Sequence, residues 1–472
     1  MPEKAIIEST VKIPFSLLYV QAIQEIKKSL TLLKKKSATF GFPTNDDSDT
    51  VTFYSVDAKA INLPRRFGIE LLRSRNIPFE DMRVDGDPLG VTFNEAMQAT
   101  RPDLKPAQDR VVNQVVEGLL SSEGTNSGLL QAGTGSGKTL MGIKVACMLG
   151  RKTLVVVNSD FLASQWRESF KKFSSITDDE IGVIQQEHRE ISDKRVVIGM
   201  IQTLVKREFT PAEKKAFGLV ILDEVHHIPS HVFSRALLKF DAKYLLGLTA
   251  TPGRWDGLDV LLQYGLGGKL NKIVLGTQMT PEVYIMHHPT RLSPGSYKYT
   301  WGINAGKINY SKLINLIAYS APRNKYITGM VIDAAKKERK IMVFSDRLDQ
   351  LSTIKEWFDQ EISDKSAMFV GGTKPKDREK AMQAQVMFCT YQYCAEALDV
   401  PERDCVFLAS PKSKVSQVMG RVLRSQDGKR CPIVVDICDP FVPVLEMFSS
   451  KRAQEYRSSR ARIHLPNGQV LR

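Results

Sequence analysis

The sequence predicts an α/β protein built on doubly wound parallel sheets, and two stretches together with the chain length predict it. NSGLLQAGTGSGKTLMGIKVACML (126–149) passes from a short apolar strand through a glycine-rich turn into a helix with apolar positions at helical spacing. AFGLVILDEVHHIP (216–229) places an apolar strand, GLVIL, directly before Asp223 and Glu224. At 472 residues and about 100 to 200 residues per domain, the chain has room for roughly three units, each with its own core.

The first stretch has the layout of a phosphate-binding loop. Its centre, AGTGSGKT (132–139), departs from GxxxxGK[ST] only at Ala132. Backbone N–H groups of Gly133, Thr134, Gly135, Ser136 and Gly137 would cradle phosphates, because glycine permits the close approach and the positive φ values. Lys138 would reach the β- and γ-phosphates of ATP and Thr139 a Mg²⁺ ion. Asp223, at the C-terminal end of a parallel strand expected beside the loop strand, would hold the same Mg²⁺, and Glu224 would orient the attacking water. His226 and His227 point opposite ways at a strand end, and no third ligand stands at a metal-site spacing, so zinc is not expected.

Composition narrows the partners. The net charge is +14 with 66 Lys+Arg against 52 Asp+Glu, and the whole excess lies beyond residue 100, where the phosphate-loop pattern also lies. That balance favours a polyanion. The six cysteines form no CxxC pair, which points to a reduced setting over a disulfide framework. No run approaches eighteen apolar residues and the N-terminus lacks a signal-peptide layout, so the expectation is a cytoplasmic protein with no membrane partner.

QVMGRVLRSQ (417–426) sets Arg421 and Arg424 one helical turn apart on a shared face, behind Gln417 and Gly420. With AGTGSGKT, DEVH (223–226) and LTATP (248–252), QVMGRVLR resembles motifs I, II, III and VI of the superfamily 2 helicases, in the right order. LKPAQ (104–108) resembles their adenine-sensing Q motif, with Gln108 as base reader. The resemblance covers 104–424 and implies two RecA-like domains in tandem, with ATP and Mg²⁺ as cofactors and nucleic acid as partner. It implies that Gln417, Arg421 and Arg424 act catalytically, the arginines as fingers on ATP held by the other domain. VVVNSDFLASQW (155–166), GMIQTL (199–204), KIMVFSDRLDQL (340–351) and FCTYQYCAEALDVP (388–401) resemble motif Ia and the later motifs. They carry Thr203, Ser345, Arg347 and Thr390 as nucleic-acid contacts and Asp399 at the nucleotide. Ala397 stands where many relatives carry Gly.

TPGRWDG (251–257), with Arg254 as a further nucleic-acid contact, and FYSVDAKAINLPRRFG (53–68) resemble the group that includes the phage UvsW-type and xeroderma pigmentosum B-type enzymes. That resemblance implies forked or branched DNA as substrate, a phage-like enzyme in the host cytoplasm, and replication or recombination proteins as possible partners, with a monomer favoured. An RNA helicase and an ATP-driven clamp without strand separation stay open.

The expected organisation is a small α/β accessory domain at 1–98, helicase domains at 99–285 and 325–448, a linker with a possible hairpin at 286–324, and a basic tail at 449–472. Within the accessory domain a helix is expected over LLYVQAIQEIKKSLTLLKKK (17–36) and a strand over TVTFYSV (50–56). Lys34, Lys35 and Lys36 read either as a solvated helix end or as a DNA contact. The tail either packs back on the motor or reaches DNA. Trp166, at a periodic helix start, is expected in the core.

Overall fold

A computed structural model describes residues 3–33, 50–98, 104–121, 124–133, 136–225, 239–249, 259–267, 269–273, 279–300, 305–373, 375–391, 402–415, 418–419 and 428–471. The chain divides into two units, Met1–Leu275 and Gly276–Arg472.

The first unit opens with a five-stranded sheet in the order β5-β6-β2-β1-β7. Its strands are β1 (Ala5–Ile7), β2 (Val11–Pro14), β5 (Ser55–Val56), β6 (Ala60–Leu63) and β7 (Phe79–Asp81). A two-stranded ribbon, β3 (Thr31–Leu33) with β4 (Thr50–Thr52), stands beside it. Helix α1 (Val20–Ser29) is shorter than expected from the apolar spacing, because Thr31–Leu33 leaves the helix to pair antiparallel with Thr50–Thr52. The Thr31 hydroxyl donates to the Lys27 carbonyl at 2.7 Å and closes the last turn. The single strand expected over 50–56 is two short ones: Phe53 turns into the core between them, its N–H on the Leu30 carbonyl at 2.8 Å. Helix α2 (Arg65–Ser74) covers the sheet.

The larger sheet of this unit runs β11-β10-β12-β9-β13-β14-β8-β15, parallel except at the β11 edge. The ranges are β8 (Ser127–Ala132), β9 (Thr153–Val157), β10 (Ile181–Gln185), β11 (His188–Arg189), β12 (Val196–Met200), β13 (Leu219–Leu222), β14 (Tyr244–Thr249) and β15 (Lys269–Ile273). TLVVV, VVIGM and LVIL are buried at every position, as strands covered on both faces must be. Helices α3 (Glu95–Gln98), α4 (Lys105–Leu120), α5 (Lys138–Leu149) and α6 (Asp160–Phe173) follow in the same unit.

The small sheet is joined to the large one by backbone. Val84 bridges Ala242, Pro88 bridges Arg151 and Phe93 bridges Ser174. Fully buried Arg65 donates to the carbonyls of Ala242 at 2.7 Å and Lys243 at 3.1 Å. A Cβ on Gly218 would lie 1.8 Å from the Asp85 carbonyl oxygen, so only glycine admits this crossing. One apolar core runs through both sheets, from Ile7, Val11, Ile69 and Leu72 to Leu154, Phe217 and Leu245. Most of these joints fall just before β9, β13 and β14, at the strand ends opposite the phosphate loop.

That union carries a prediction. A fragment starting at residue 99 is the natural guess for a free-standing motor, yet it would lose every one of these bridges. Stripping partners from even five buried aliphatic side chains, at about 1.5–3 kcal/mol each, matches the whole net stability of about 5–15 kcal/mol. Residues 99–472 should therefore express as insoluble or non-cooperatively unfolding material. A soluble fragment with a sharp thermal transition would show the small sheet to be dispensable.

The second unit is an eight-stranded sheet, β18-β19-β17-β20-β21-β16-β22-β23, parallel except at the β23 edge. Its strands are β16 (Glu282–His287), β17 (Ile341–Ser345), β18 (Ser366–Phe369), β19 (Val386–Thr390), β20 (Cys405–Leu408), β21 (Ile433–Cys438), β22 (Arg462–His464) and β23 (Val470–Leu471). Three boundaries differ from expectation. A first motor domain ending at 285 would cut through β16, which pairs with β21 and β22 of the second sheet. The stretch at 286–324 is packed, not a loose linker: Tyr297, Leu313 and Ile317 share a core with Val442, Leu445 and Phe448. Within it Lys298 bridges Ile308 in antiparallel sense, and the Tyr299 N–H donates to the Lys307 carbonyl at 2.9 Å. The basic stretch 449–472 forms most of helix Pro443–Ser458 and then β22 and β23. Within it, buried Arg452 pairs with buried Asp436 at 2.8 Å.

Candidate nucleotide site

The site stands at the C-terminal ends of the strands of the large sheet in the first unit, where parallel α/β sheets present ligands. β8 leads through Gly133 and Ser136 into α5, whose first two residues are Lys138 and Thr139. β13 ends directly before Asp223. The two strands are not adjacent as expected: β14 lies between them, and its last residues belong to the LTATP motif.

Gly137 caps α5 with φ of +84°, and a Cβ there would meet Gln108 Nε2 at 2.6 Å. Glycine at this position thus answers both to backbone handedness and to the amide packed on it. Ser136 is tied within the loop, its hydroxyl donating to the Gly133 carbonyl at 2.6 Å. The Lys138 ammonium is paired with the Glu224 carboxylate across the site. Glu224 itself adopts φ of +47°, the left-handed region that non-glycine residues seldom occupy.

Asp223 is buried, with its two oxygens accepting from the Trp166 indole N–H at 2.8 Å and the Glu224 backbone N–H at 2.9 Å. Burial pushes its carboxyl up to about 6, and the Glu224 charge adds to the rise; the Lys138 ammonium and the Trp166 hydrogen bond oppose it. Two carboxylates sharing one ammonium leave the site short of positive charge. A divalent cation would fit that shortage. The donors on offer, the Asp223 carboxylate and the Thr139 hydroxyl, are the oxygens a hard ion such as Mg²⁺ takes. Among the described residues, a Cβ on Gly133 would find nothing within 4 Å.

Trp166 is fully buried as expected, but it does more than fill the core: it fixes the rotamer of Asp223. Its place in VVVNSDFLASQW gave no sign of that bond, since the partners are 57 residues apart. Gln98, Asp109 and Lys144 were also missed. Lys144 donates to Asp109 at 2.7 Å and to Gln98 at 2.9 Å, and Gln108 reaches the loop through its Nε2 on the Ser136 carbonyl at 2.9 Å.

The nucleic-acid candidates fare unevenly. Thr203 is half-buried in the short helix Ile201–Lys206 that follows β12, its hydroxyl accepting from the Gln186 N–H at 3.2 Å. Thr390 ends β19, half-buried and in register with Ser345. Ser345 is wholly buried, donating to Gln350 Oε1 at 2.7 Å and accepting from the Arg347 N–H at 3.0 Å. It therefore pins the turn into helix Leu348–Glu361 and has no surface for a phosphate. Arg347 is spent locally too, on the Asn315 side chain at 2.5 Å and the Asp346 carbonyl at 3.1 Å. Thr134, Gly135, His226, His227, Arg254, Asp399, Gln417, Arg421 and Arg424 lie outside the described residues.

Comparison with known proteins adds what the chain is similar to. The model described as "Type III restriction enzyme, res subunit" matches residues 101–254. A protein of Acanthamoeba polyphaga mimivirus named as an ATP-dependent RNA helicase, L396, is 28% identical over 438 residues, which cover 89% of this chain and 78% of that protein. The general transcription and DNA repair factor IIH helicase/translocase subunit XPB of Danio rerio is 26% identical over 357 residues; these cover 69% of this chain but only 43% of that protein. The crystal structure of T4 UvsW aligns over 98% of this chain and 99% of its own, with 17% identity and a TM-score of 0.39. With its motifs in order and relatives named as helicases along most of its length, the chain is similar to the superfamily 2 helicases and resembles the XPB-type proteins over 69% of its residues.

Proposed function

We propose that the chain is an ATP-driven DNA motor that unwinds or branch-migrates forked and branched DNA in replication, recombination or repair. The observation that carries the ATP-driven part is the meeting of Lys138, Asp223 and Glu224 at one strand edge behind a glycine loop. Lys138 and the loop N–H groups bind the phosphates, and Thr139 and Asp223 hold Mg²⁺. When bound, the ion neutralises and orients the terminal phosphate oxygens. Glu224 leaves Lys138 when phosphate arrives, and its freed carboxylate takes the proton of the attacking water. Gln108 reads the adenine edge, with Asp399 near the nucleotide. Arg421 and Arg424 stabilise charge on the terminal phosphoryl group, with Gln417 beside them. Thr203, Arg254 and Thr390 contact the nucleic-acid backbone.

The choice of DNA is supported by the likeness to the XPB subunit and by the TPGRWDG stretch. The RNA reading is supported by relatives named as RNA helicases, the mimivirus protein among them. ATPase stimulation and strand separation measured side by side on forked DNA, four-way junctions, linear duplex DNA and duplex RNA test the choice. Forked or four-way DNA should give the highest rates of both. Best separation of RNA would overturn the DNA reading, and stimulation without separation of any strand would make the protein a clamp.

A further inference from the structure

Behind Gln108 lies a second glutamine whose amide has no freedom. Gln98, at the end of α3, is 1% exposed and Gln108 3%. The Gln98 oxygen accepts from the Lys144 ammonium at 2.9 Å and from the Lys105 ammonium at 3.4 Å. Its nitrogen donates to the Asp109 carboxylate at 2.9 Å and to the Gln108 side-chain oxygen at 3.2 Å. Turning this amide over would aim N–H groups at two cations and an oxygen at a carboxylate, so the charges dictate its orientation. The charges are themselves locked: Lys144 and Lys105 each pair with both Glu95 and Asp109, at 2.7–2.8 Å.

The orientation is passed on. With Gln98 presenting N–H, Gln108 must meet it with oxygen, and its own nitrogen then faces the Ser136 carbonyl in the phosphate loop at 2.9 Å. Among the described residues, each end of the Gln108 amide keeps one unused valence: a lone pair on the oxygen and an N–H on the nitrogen. An acceptor beside a donor suits adenine, whose edge offers an amino donor next to the N7 acceptor. Guanine offers two acceptors there and would set O6 against the Gln108 oxygen.

We propose that Gln98 is a positioning residue for base selection, holding Gln108 in the one amide orientation that accepts adenine and rejects guanine. The inference rests on Gln108 being the base contact. The chain of bonds runs from a fixed quartet of charges, through two amides, to a backbone carbonyl of the phosphate loop, so base recognition and loop geometry share one hydrogen-bond line.

The test is displacement of a fluorescent ADP analogue by ADP and by GDP from the full-length protein, for wild type, Gln98→Met, Gln98→Glu and Gln108→Ala. Methionine keeps the length and removes all four bonds of the amide, the one to Gln108 included. Glutamate is nearly isosteric but puts oxygen where nitrogen faced Asp109 and Gln108. The wild type should prefer ADP. The preference should fall roughly tenfold in Gln98→Met, about what one lost hydrogen bond gives, and further in Gln98→Glu. ATPase kcat at saturating ATP should stay near wild type while KM rises. If Gln98→Met and Gln98→Glu weaken ADP and GDP in equal proportion, or leave both unchanged, Gln98 does not select the base and the proposal is overturned. If Gln108→Ala keeps the full ADP preference, the fault lies in the base-contact reading beneath it. Should the methionine variant not fold, the glutamate variant alone decides between these outcomes.

Discussion

Glu224→Gln should turn over ATP roughly 10²–10⁴-fold more slowly than the wild type, the usual contribution of a positioned base, and should bind nucleotide more tightly. The second half of that expectation comes from the structure. Lys138 is held by the Glu224 carboxylate, with the two side chains only 13% and 24% exposed. A phosphate must break that half-buried pair before it gains the ammonium. A neutral amide at 224 frees Lys138 in advance and also relieves Asp223 of a neighbouring negative charge. Single-turnover hydrolysis and titration with a fluorescent nucleotide measure the two effects separately. Wild-type turnover would remove Glu224 from the chemistry; slow turnover with weakened binding would mean that the pair does not compete with phosphate. Lys138→Ala makes a useful contrast, because it abolishes the phosphate contact and leaves two carboxylates facing each other with no ammonium between them.

Arg421→Ala and Arg424→Ala should each lower turnover by about 10³–10⁵, the range for an arginine finger, with far smaller losses in ATP affinity. The effect belongs to the transition state, where charge builds on the transferred group. Arg424→Lys should recover only part of the loss, since an ammonium lacks the planar fork of donors. Nucleotide-free DNA binding should be retained in all three variants. Turnover that survives, with DNA affinity reduced and its salt dependence made shallower, would reassign the arginines to the nucleic-acid backbone.

The parts of this protein that were legible in its sequence are those where chemistry is local. A glycine-rich turn between an apolar strand and a helix, or a carboxylate pair after LVIL, announces itself within a dozen residues. The lines linking Trp166 to Asp223 and Gln98 to Gln108, and Lys144 to both Gln98 and Asp109, were not legible, because each partner is ordinary by itself and only the fold brings them together. Ser345 misled for the converse reason. Its place at the end of a strand suits a phosphate contact equally well as a turn pin, and only its burial decides. Domain limits failed where a strand joined a sheet made mostly of later sequence, as β16 does, since EVYIMH reads the same whichever sheet receives it.

That last strand also sets an order of events during synthesis. Glu282 pairs with Ile433 on one side and with Arg462 on the other, so β16 leaves the ribosome roughly 150 residues ahead of one neighbour and roughly 180 ahead of the other. At about 5–20 residues per second, it waits on the order of ten seconds with both edges bare. The described strands of the first unit's sheets all precede residue 275, so they can pair during that interval. The second must hold an apolar strand open until its late partners emerge, which makes the nascent second unit the stage at which aggregation competes with folding.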